Sequence, residues 1–413
     1  MRFGRRHAVV GAIAVVVVCL ASLGIAGGQT TPAAKPAAPA AKPAAKPAAK
    51  PAGTGATAGA VAAGKPIMAG VYFKNVQVLK DIPVDEFMDT MGFFAASLSL
   101  NCIDCHVQES GGSWPRYADD TQLKVTARKM MLMVNNINKT NFGGSRFVTC
   151  WTCHRGGQQP TVIPSLAEQY SPPPPDDPNE YVVRDSASPM TADQVFAKYL
   201  QAVGGAQKAA ALTSFVGKGT YAGYDTEHEE SPYDVYAKSP GMRTWVVHFR
   251  MGEGRHVYDG KNAWVSSPDK PIGLLPLTGG ELEGARLDAT VLFPSQVKSL
   301  SANWKVGATQ IDDENVTVLQ GSTPAPNRST VKLFFDAKSG LLVRMVRYQN
   351  TIVGTNPIQL DYADYKDVDG VKIPFKWTVS WTDGQDVVTL SDVKGNAPID
   401  AKEFAQPPPA QLQ

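Results

Sequence analysis

Cysteine is scarce in this chain, 5 residues in 413, which excludes a fold held together by disulfides. Histidine is nearly as rare, with 6 residues, so any site needing several imidazoles has few to draw on. Acidic side chains are missing altogether from the first 66 residues, which hold eight basic ones: Arg2, Arg5, Arg6, Lys35, Lys42, Lys46, Lys50 and Lys65. The remainder carries 32 basic and 38 acidic residues, and the whole chain only +2. That balance argues against a protein built to coat nucleic acid. Apolar residues, by contrast, make up 43% against 19% charged, enough for one or two buried cores and too many for global disorder.

The one long apolar run, Ala8 to Ile25, follows Arg2, Arg5 and Arg6, the order of a basic region and a hydrophobic stretch that direct export. Residues 1–28 are thus either a removed signal peptide or a retained membrane anchor, since about 18 apolar residues also approach the length of a span. Cys19 inside the run reads as an ordinary thiol of the hydrophobic stretch. From 29 to 66 the chain repeats Ala-Ala-Lys-Pro (Ala33 to Pro36, Ala40 to Pro43, Ala44 to Pro47, Ala48 to Pro51). Such a stretch forms no core, and in an extended polyproline form it could reach up to roughly 100 Å. A second break at 161–189 includes Pro172 to Pro175 and Pro178. Helical patterns occupy 67–160, and strand patterns with period 2 occupy 190–408.

Four of the five cysteines fall in two C-x-x-C-H pentapeptides, Cys102-Ile103-Asp104-Cys105-His106 and Cys150-Trp151-Thr152-Cys153-His154. This spacing attaches c-type haem: two thiols three apart add to the vinyl groups, and the adjacent histidine becomes the proximal ligand. A zinc site built from two cysteine pairs would leave His106 and His154 unexplained. The sixth ligand of each iron has to come from nearby. His7 lies in the leader and His228, His248 and His256 beyond the second break, which leaves Met68, Met88, Met91, Met130, Met131 and Met133.

A helix is expected from Asp81 or Pro83 to about Leu98, with Asp85 and Glu86 at its positive end. Phe87, Met91, Phe94 and Leu98 form its apolar stripe, with Met91 central and Met88 at the edge. A second helix after Thr121 places Leu123, Ala127, Met130, Val134 and Ile137 on one face, centred on Met130, with Met133 as runner-up. Methionine on a stripe is ordinarily core packing. Two haems without a second histidine favour ligation instead.

The segment from Tyr72 to about Pro160 resembles the haem-binding repeat pair of the photosynthetic reaction-centre cytochrome c subunit. The resemblance is carried by Phe87-Met88-Asp89-Thr90-Met91, by Thr126-Ala127-Arg128-Lys129-Met130-Met131-Leu132-Met133 and by Thr149-Cys150-Trp151-Thr152-Cys153-His154-Arg155-Gly156. It implies that each methionine ligand comes from the helix preceding its own pentapeptide, and the quoted motifs align on Met91 and Met130. That family carries four haems in two such pairs; this chain has one pair. His/Met ligation would favour a higher potential than bis-histidine ligation. Arg116, Arg128, Arg146 and Arg155 are candidates to meet haem propionates, Arg155 being best placed.

Beyond 190 the sequence predicts a helix from Thr191 through Ala211, interrupted or stopped at Gly204-Gly205, and then strands. These are Ser214 to Tyr221, Tyr233 to Lys238, Arg243 to Phe249, Arg255 to Tyr258, Asn262 to Ser266, Val316 to Gln320, Thr330 to Phe335, Leu341 to Gln349, Ile358 to Tyr365, Phe375 to Trp381 and Val387 to Val393. Turns fall at Asp259-Gly260, Ser339-Gly340, Asp369-Gly370 and Asp383-Gly384. A helical stretch near Gly280 to Leu300 interrupts them. The helix, the meander, Asp336 to Arg344 and Tyr365 to Pro374 resemble the periplasmic lipoprotein-carrier and sorting-factor superfamily. That resemblance implies a curved sheet over helices and an apolar ligand in its concavity. His228, among Glu227, Glu229 and Glu230, reads as a charged loop rather than a metal site.

The expected fold is therefore multidomain: a mainly α c-type multihaem cytochrome domain followed by an α+β domain with a curved antiparallel sheet. The expected function is a periplasmic dihaem cytochrome exchanging electrons with a redox partner protein, a membrane-bound electron-transfer complex among the candidates. Two alternatives stay open, a peroxidase-like enzyme with one open haem and a lipid or lipoprotein binder whose haems sense redox state.

Overall fold

In a computed structural model of the chain, the residues described are 65–171, 190–326 and 328–411. The expected leader, the Ala-Lys-Pro repeat up to residue 64 and the proline run 172–189 lie outside them. The described residues form one compact unit.

The helical part starts with a single turn, α1 (Ala69–Tyr72), followed by α2 (Val84–Leu98), α3 (Cys102–Cys105), α4 (Gln122–Asn141), α5 (Cys150–His154) and α6 (Leu166–Tyr170). Extended Pro83 opens α2, and Ser99 in the left-handed region (φ 50°) ends it. At 100° per residue, Phe87, Met91, Phe94 and Leu98 share one face of α2, while Asp85, Asp89, Gly92 and Phe93 share the opposite one. The first face packs with Ala69, Leu79, Ile82 and Met131 in a small apolar core. The second is turned to the sheet, and nothing in the local apolar pattern marked it. The Thr121 hydroxyl caps α4 by accepting from Lys124 N at 3.2 Å. On α4 the structure corrects the expected face: Met131 and Asn138 are the buried residues, whereas Met130 is 38% exposed.

The expected helix over 191–211 is two helices, α7 (Ala192–Ala202) and α8 (Ala206–Ala211). Gly204 and Gly205 break it with φ of 119° and 103°, and a side chain at Gly204 would run into the Gly370 carbonyl. That close approach lets Lys372 N donate to Val203 O at 2.8 Å, pinning the helix end to the sheet.

Six strands follow: β1 (Ser214–Ala222), β2 (Ser231–Lys238), β3 (Met242–Phe249), β4 (Gly252–Tyr258), β5 (Ala263–Ser266) and β6 (Leu275–Leu277). Then come α9 (Gly279–Thr290) and a 3-10 turn, Pro294–Leu300. The remaining strands are β7 (Trp304–Ile311), β8 (Glu314–Ser322), β9 (Thr330–Asp336), β10 (Leu342–Asn350), β11 (Thr355–Val368), β12 (Val371–Trp381) and β13 (Gly384–Gly395). All belong to one antiparallel sheet in the order β6-β5-β4-β3-β2-β1-β13-β12-β11-β10-β9-β8-β7. The chain leaves one edge at β6 and re-enters at the other with β7.

The contacts of α9 show that the sheet is curved. Thirteen strands laid flat would span about 58 Å at about 4.8 Å per gap. The two helices of the crossing cover only about 30 Å at about 1.5 and 2.0 Å per residue. The sheet curls until α9 touches β3 and β4 on one wing and β10 on the other. Its concave face is filled by Val195, Phe196, Leu287, Phe293, Val297 and Leu300, all buried. These side chains line the concavity in which an apolar ligand is expected. Burying each such group contributes about 1.5–3 kcal/mol relative to exposure.

Candidate functional site

The two pentapeptides fold into the same device. In α3 the Asn101 side chain accepts from Asp104 N at 3.1 Å while Asn101 N donates to Asp104 Oδ2 at 2.8 Å. In α5 Thr149 and Thr152 make the equivalent reciprocal pair, 3.3 Å and 3.0 Å. Each capping box therefore stabilises a single helical turn too short to stand alone. One turn brings cysteines three apart onto one side, and the four thiols, Cys102, Cys105, Cys150 and Cys153, are all free. Burial pushes the Cys105 and Cys150 thiols up from their ordinary range.

The histidine after each turn is held alike. His106 Nδ1 lies 3.1 Å from the Tyr117 carbonyl, and His154 Nδ1 lies 3.0 Å from the Gly157 carbonyl. A carbonyl can only accept, so each Nδ1 carries the proton and each Nε2 keeps its lone pair, the tautomer a metal-binding imidazole needs. Burial, with the Lys124 cation nearby, lowers the His106 pKa and favours that neutral form. Arg155 after α5 adopts φ 47° and Gly156 φ 81°. Gly156 N then donates to Ser97 O at 3.0 Å, fastening the second motif to the end of α2.

These residues fit covalent c-type haem. Paired thiols and a Nε2-presenting histidine recur twice, and among the described residues all but two of the exposed large apolar side chains lie in the helical part. Ile103, Trp151, Phe142, Phe147 and Met130 are among them. Among the described residues no three His, Cys, Asp or Glu side chains converge to hold a metal ion. The two cysteine pairs do not meet as a four-thiolate zinc site would require.

Met91 is half-buried against the α1–α2 core, while Met88 and Met133 are exposed. Met131, which the sequence reading did not single out, is the methionine of α4 that packs beside Met91. Two of the candidate arginines already have partners: Arg128 pairs with Asp120 at 2.7 Å, and Arg116 with Asp119 at 3.0 Å. Glu227 and His228 sit in left-handed conformation in an exposed turn, as expected of a charged loop.

Sequence reasoning missed what the sheet contributes. Thr278 donates to Asp85 from its N at 2.5 Å and its Oγ1 at 2.8 Å. Asp85, read above as a helix-dipole residue, is thus a buried tie to the sheet, and burial raises its pKa. Gln349 Nε2 donates to Asp89 Oδ2 at 2.7 Å and Asn356 Nδ2 to the Asp89 carbonyl at 3.0 Å. On this side of α2 lies a cavity of about 460 Å³, lined by Asp85, Glu86, Asp89, Trp264 and Glu281 and by none of the motif residues. At the other motif Tyr224 hydrogen-bonds Cys102, and its backbone N donates to Asp386 at 3.3 Å.

Burial pushes the Asp386 carboxyl up to about 6, although the Tyr221 hydroxyl donates to it at 2.8 Å. A carboxyl whose folded pKa lies above its unfolded one binds more protons when folded, so its contribution to stability falls as pH rises from about 4 to 6, by on the order of 3 kcal/mol. In urea unfolding at pH 4.5 and 7.0, Asp386→Asn is expected to lose that share of the difference. An unchanged difference would show that the carboxyl ionises freely in the fold.

Residues 31–200 match the model of a family described as photosynthetic reaction centre cytochrome C subunit. The photosynthetic reaction center cytochrome c subunit of Thermochromatium tepidum is 39% identical over 97 residues, 22% of this chain and 22% of the relative. That of Roseobacter denitrificans is 32% identical over 111 residues, 25% of this chain and 29% of the relative. The chain thus spans less than a third of the length of these curated relatives. Among solved structures, a LolA superfamily protein from Nitrosomonas europaea covers 52% of this chain and 98% of its own at 16% identity and a TM-score of 0.36. A DUF1329 family protein from Desulfovibrio piger covers 52% and 96% at 11% identity and a TM-score of 0.35. The sheet is characterised here by its own strand order, whereas the segment bearing both cysteine–histidine turns is similar in sequence to the photosynthetic reaction-centre cytochrome c subunit family.

Proposed function

We propose that this chain is an exported dihaem c-type cytochrome that carries electrons to or from a redox partner protein, a membrane-bound electron-transfer complex fitting that role. The observation that carries the reading is the duplicated turn: two capped helices, each with two free cysteines and a histidine whose Nδ1 is tied to a carbonyl. Cys102 and Cys105 would hold one haem with His106 beneath it, and Cys150 and Cys153 the other with His154. When bound, each iron supplies a one-electron couple.

The rest is the work of the chain's own residues. The carbonyls of Tyr117 and Gly157 fix the tautomer and plane of the two imidazoles, so each Nε2 would be oriented in advance as a ligand. Met91 and Met130 are the proposed sixth ligands. Met130 is left half-exposed while its neighbour Met131 serves the core, and that separation of tasks supports the choice. The domains follow the sequence reading: a leader or anchor over 1–28, a stalk over 29–66, the dihaem region over 67–160, a proline-rich linker over 161–189 and the sheet over 190–408. The place of action is the periplasm. Among the described residues no helix is long and apolar enough to cross a membrane, so anchoring would fall to residues 8–25.

Reduced, haem-loaded protein is expected to keep its optical spectrum under carbon monoxide, because both irons hold a methionine. Met91→Ala and Met130→Ala should each open one haem to carbon monoxide. Each should also lower that haem's potential by on the order of 0.1 V, within the ~0.8 V range that axial ligands command. A wild-type spectrum that shifts in one haem would favour the peroxidase-like alternative. If only Met88 or Met133 variants respond, the ligand choice is wrong.

A further inference from the structure

The tip of the β10–β11 hairpin, residues 351–354, is a rigid piece of the sheet region inserted into the helical region. Thr351, fully buried, takes Gly354 N on its hydroxyl at 3.1 Å and Val353 N at 3.3 Å, and Thr351 N donates to Gly354 O at 2.8 Å. The turn is therefore held by its own hydrogen bonds. It presents two β-branched apolar side chains, Ile352 and Val353, and both pack into the small core that contains Phe87, Met91, Phe94 and Met131.

One backbone group of the tip and two side chains flanking it grip the same helix. Ile352 N donates to the Glu86 carboxylate. Asn356 Nδ2 holds the Asp89 carbonyl at 3.0 Å, and Gln349 Nε2 the Asp89 carboxyl at 2.7 Å. The Phe93 ring lies directly on Gly354, where a side chain could not fit. Contacts at Glu86, Asp89 and Phe93 bracket the helical turn that carries Met91, while Ile352 and Val353 fill the space beside it.

From this we infer that the sheet region is a positioning element for the first haem: its hairpin tip fixes the azimuth and depth of Met91 and so holds the methionine on the iron. The inference rests on the reading of Met91 as a ligand. It gives the sheet a task inside the same chain. A methionine whose backbone and flanks are fixed in advance loses little freedom on binding the metal, and loosening them favours dissociation of the weak thioether and entry of other ligands.

The test uses the full-length, haem-loaded protein in four forms: wild type, Met91→Ala, the double variant Ile352→Ala/Val353→Ala, and Gly354→Ala, which pushes on Phe93 from the sheet side. Carbon monoxide binding, the red-edge absorption band that reports iron–methionine bonding, and the potential of each haem are read together with circular dichroism. The double variant is expected to bind carbon monoxide at one haem at least tenfold more tightly than wild type and to weaken the methionine band, with circular dichroism unchanged. Gly354→Ala should shift the same haem in the same direction, and Ile352→Val/Val353→Ile should restore wild-type behaviour. If Met91→Ala opens one haem while both hairpin variants remain closed, the positioning role is overturned and the ligand reading stands. If Met91→Ala itself stays closed, Met91 is no ligand and the positioning inference falls with it.

Discussion

A chain in which Cys102 and Cys105 are both replaced by serine is expected to carry one covalently bound haem in place of two. The Cys150→Ser/Cys153→Ser chain should also carry one, and a chain lacking all four cysteines none. Beyond the contact of Tyr224 with Cys102, the local fold is held by other groups. The turn that presents Cys102 and Cys105 is fixed by Asn101 and Asp104, and the one that presents Cys150 and Cys153 by Thr149 and Thr152, whose hydrogen bonds survive the substitutions. Haem content per chain by absorbance after denaturation, together with intact mass, decides the matter. Two haems remaining on either double variant would overturn the assignment of these cysteines, and a haem on the four-cysteine variant would mean a non-covalent site elsewhere.

The largest loss of stability is expected at Asp288, far from the motifs. Its carboxylate takes Arg347 Nε at 3.1 Å and Nη2 at 3.2 Å, and Arg243 Nη2 stands 3.6 Å away. Asp288 and Arg347 are both buried. Asp288→Ala would take from the buried Arg347 guanidinium its hydrogen-bonded carboxylate and leave only Glu281 and Asp89 in its field, a change that costs about 3–5 kcal/mol. For a sheet region of this size that is a fall in Tm on the order of 10 °C. Adding Arg347→Met to Asp288→Ala should recover part of the loss, because the stranded cation goes too. If the single variant melted like wild type, the pair would be solvated in a way its burial contradicts.

The pentapeptides, the two long helices and the hairpin turns could be read directly because each is written in neighbouring residues. The two strands that went unread, β6 and β7, are the two edges of the sheet. An edge strand pairs on one side only and tolerates what a central strand does not. β6 is three residues with Pro276 in the middle, and β7 mixes Lys305, Gly307 and Gln310 among its apolar positions. The polar face of α2 was unreadable for another reason. Asp85 finds Thr278 193 residues along the chain and Asp89 finds Gln349 260 residues along, and no local period announces such partners. The choice of Met131 over Met130 for the core was likewise settled by the position of α1, because two adjacent residues on an amphipathic helix can each claim the same apolar stripe.

One feature of the sheet sets an order in time. Every strand pairs with a neighbour in sequence except at the join of β1 and β13, where Phe215 faces Gly395 and Ala222 faces Val387, about 170 residues away. Each wing can zip up hairpin by hairpin as the chain emerges where it folds. The join must wait for the last strand and then close a long loop, which makes it the slow, high-contact-order step. Both cysteine pairs come earlier in the chain than any strand, and so does Met91. The hairpin at 351–354 lies 260 residues after Met91. The thiols thus precede the clamp on α2, and the proposed haem attachment would have a window that closes when the sheet does.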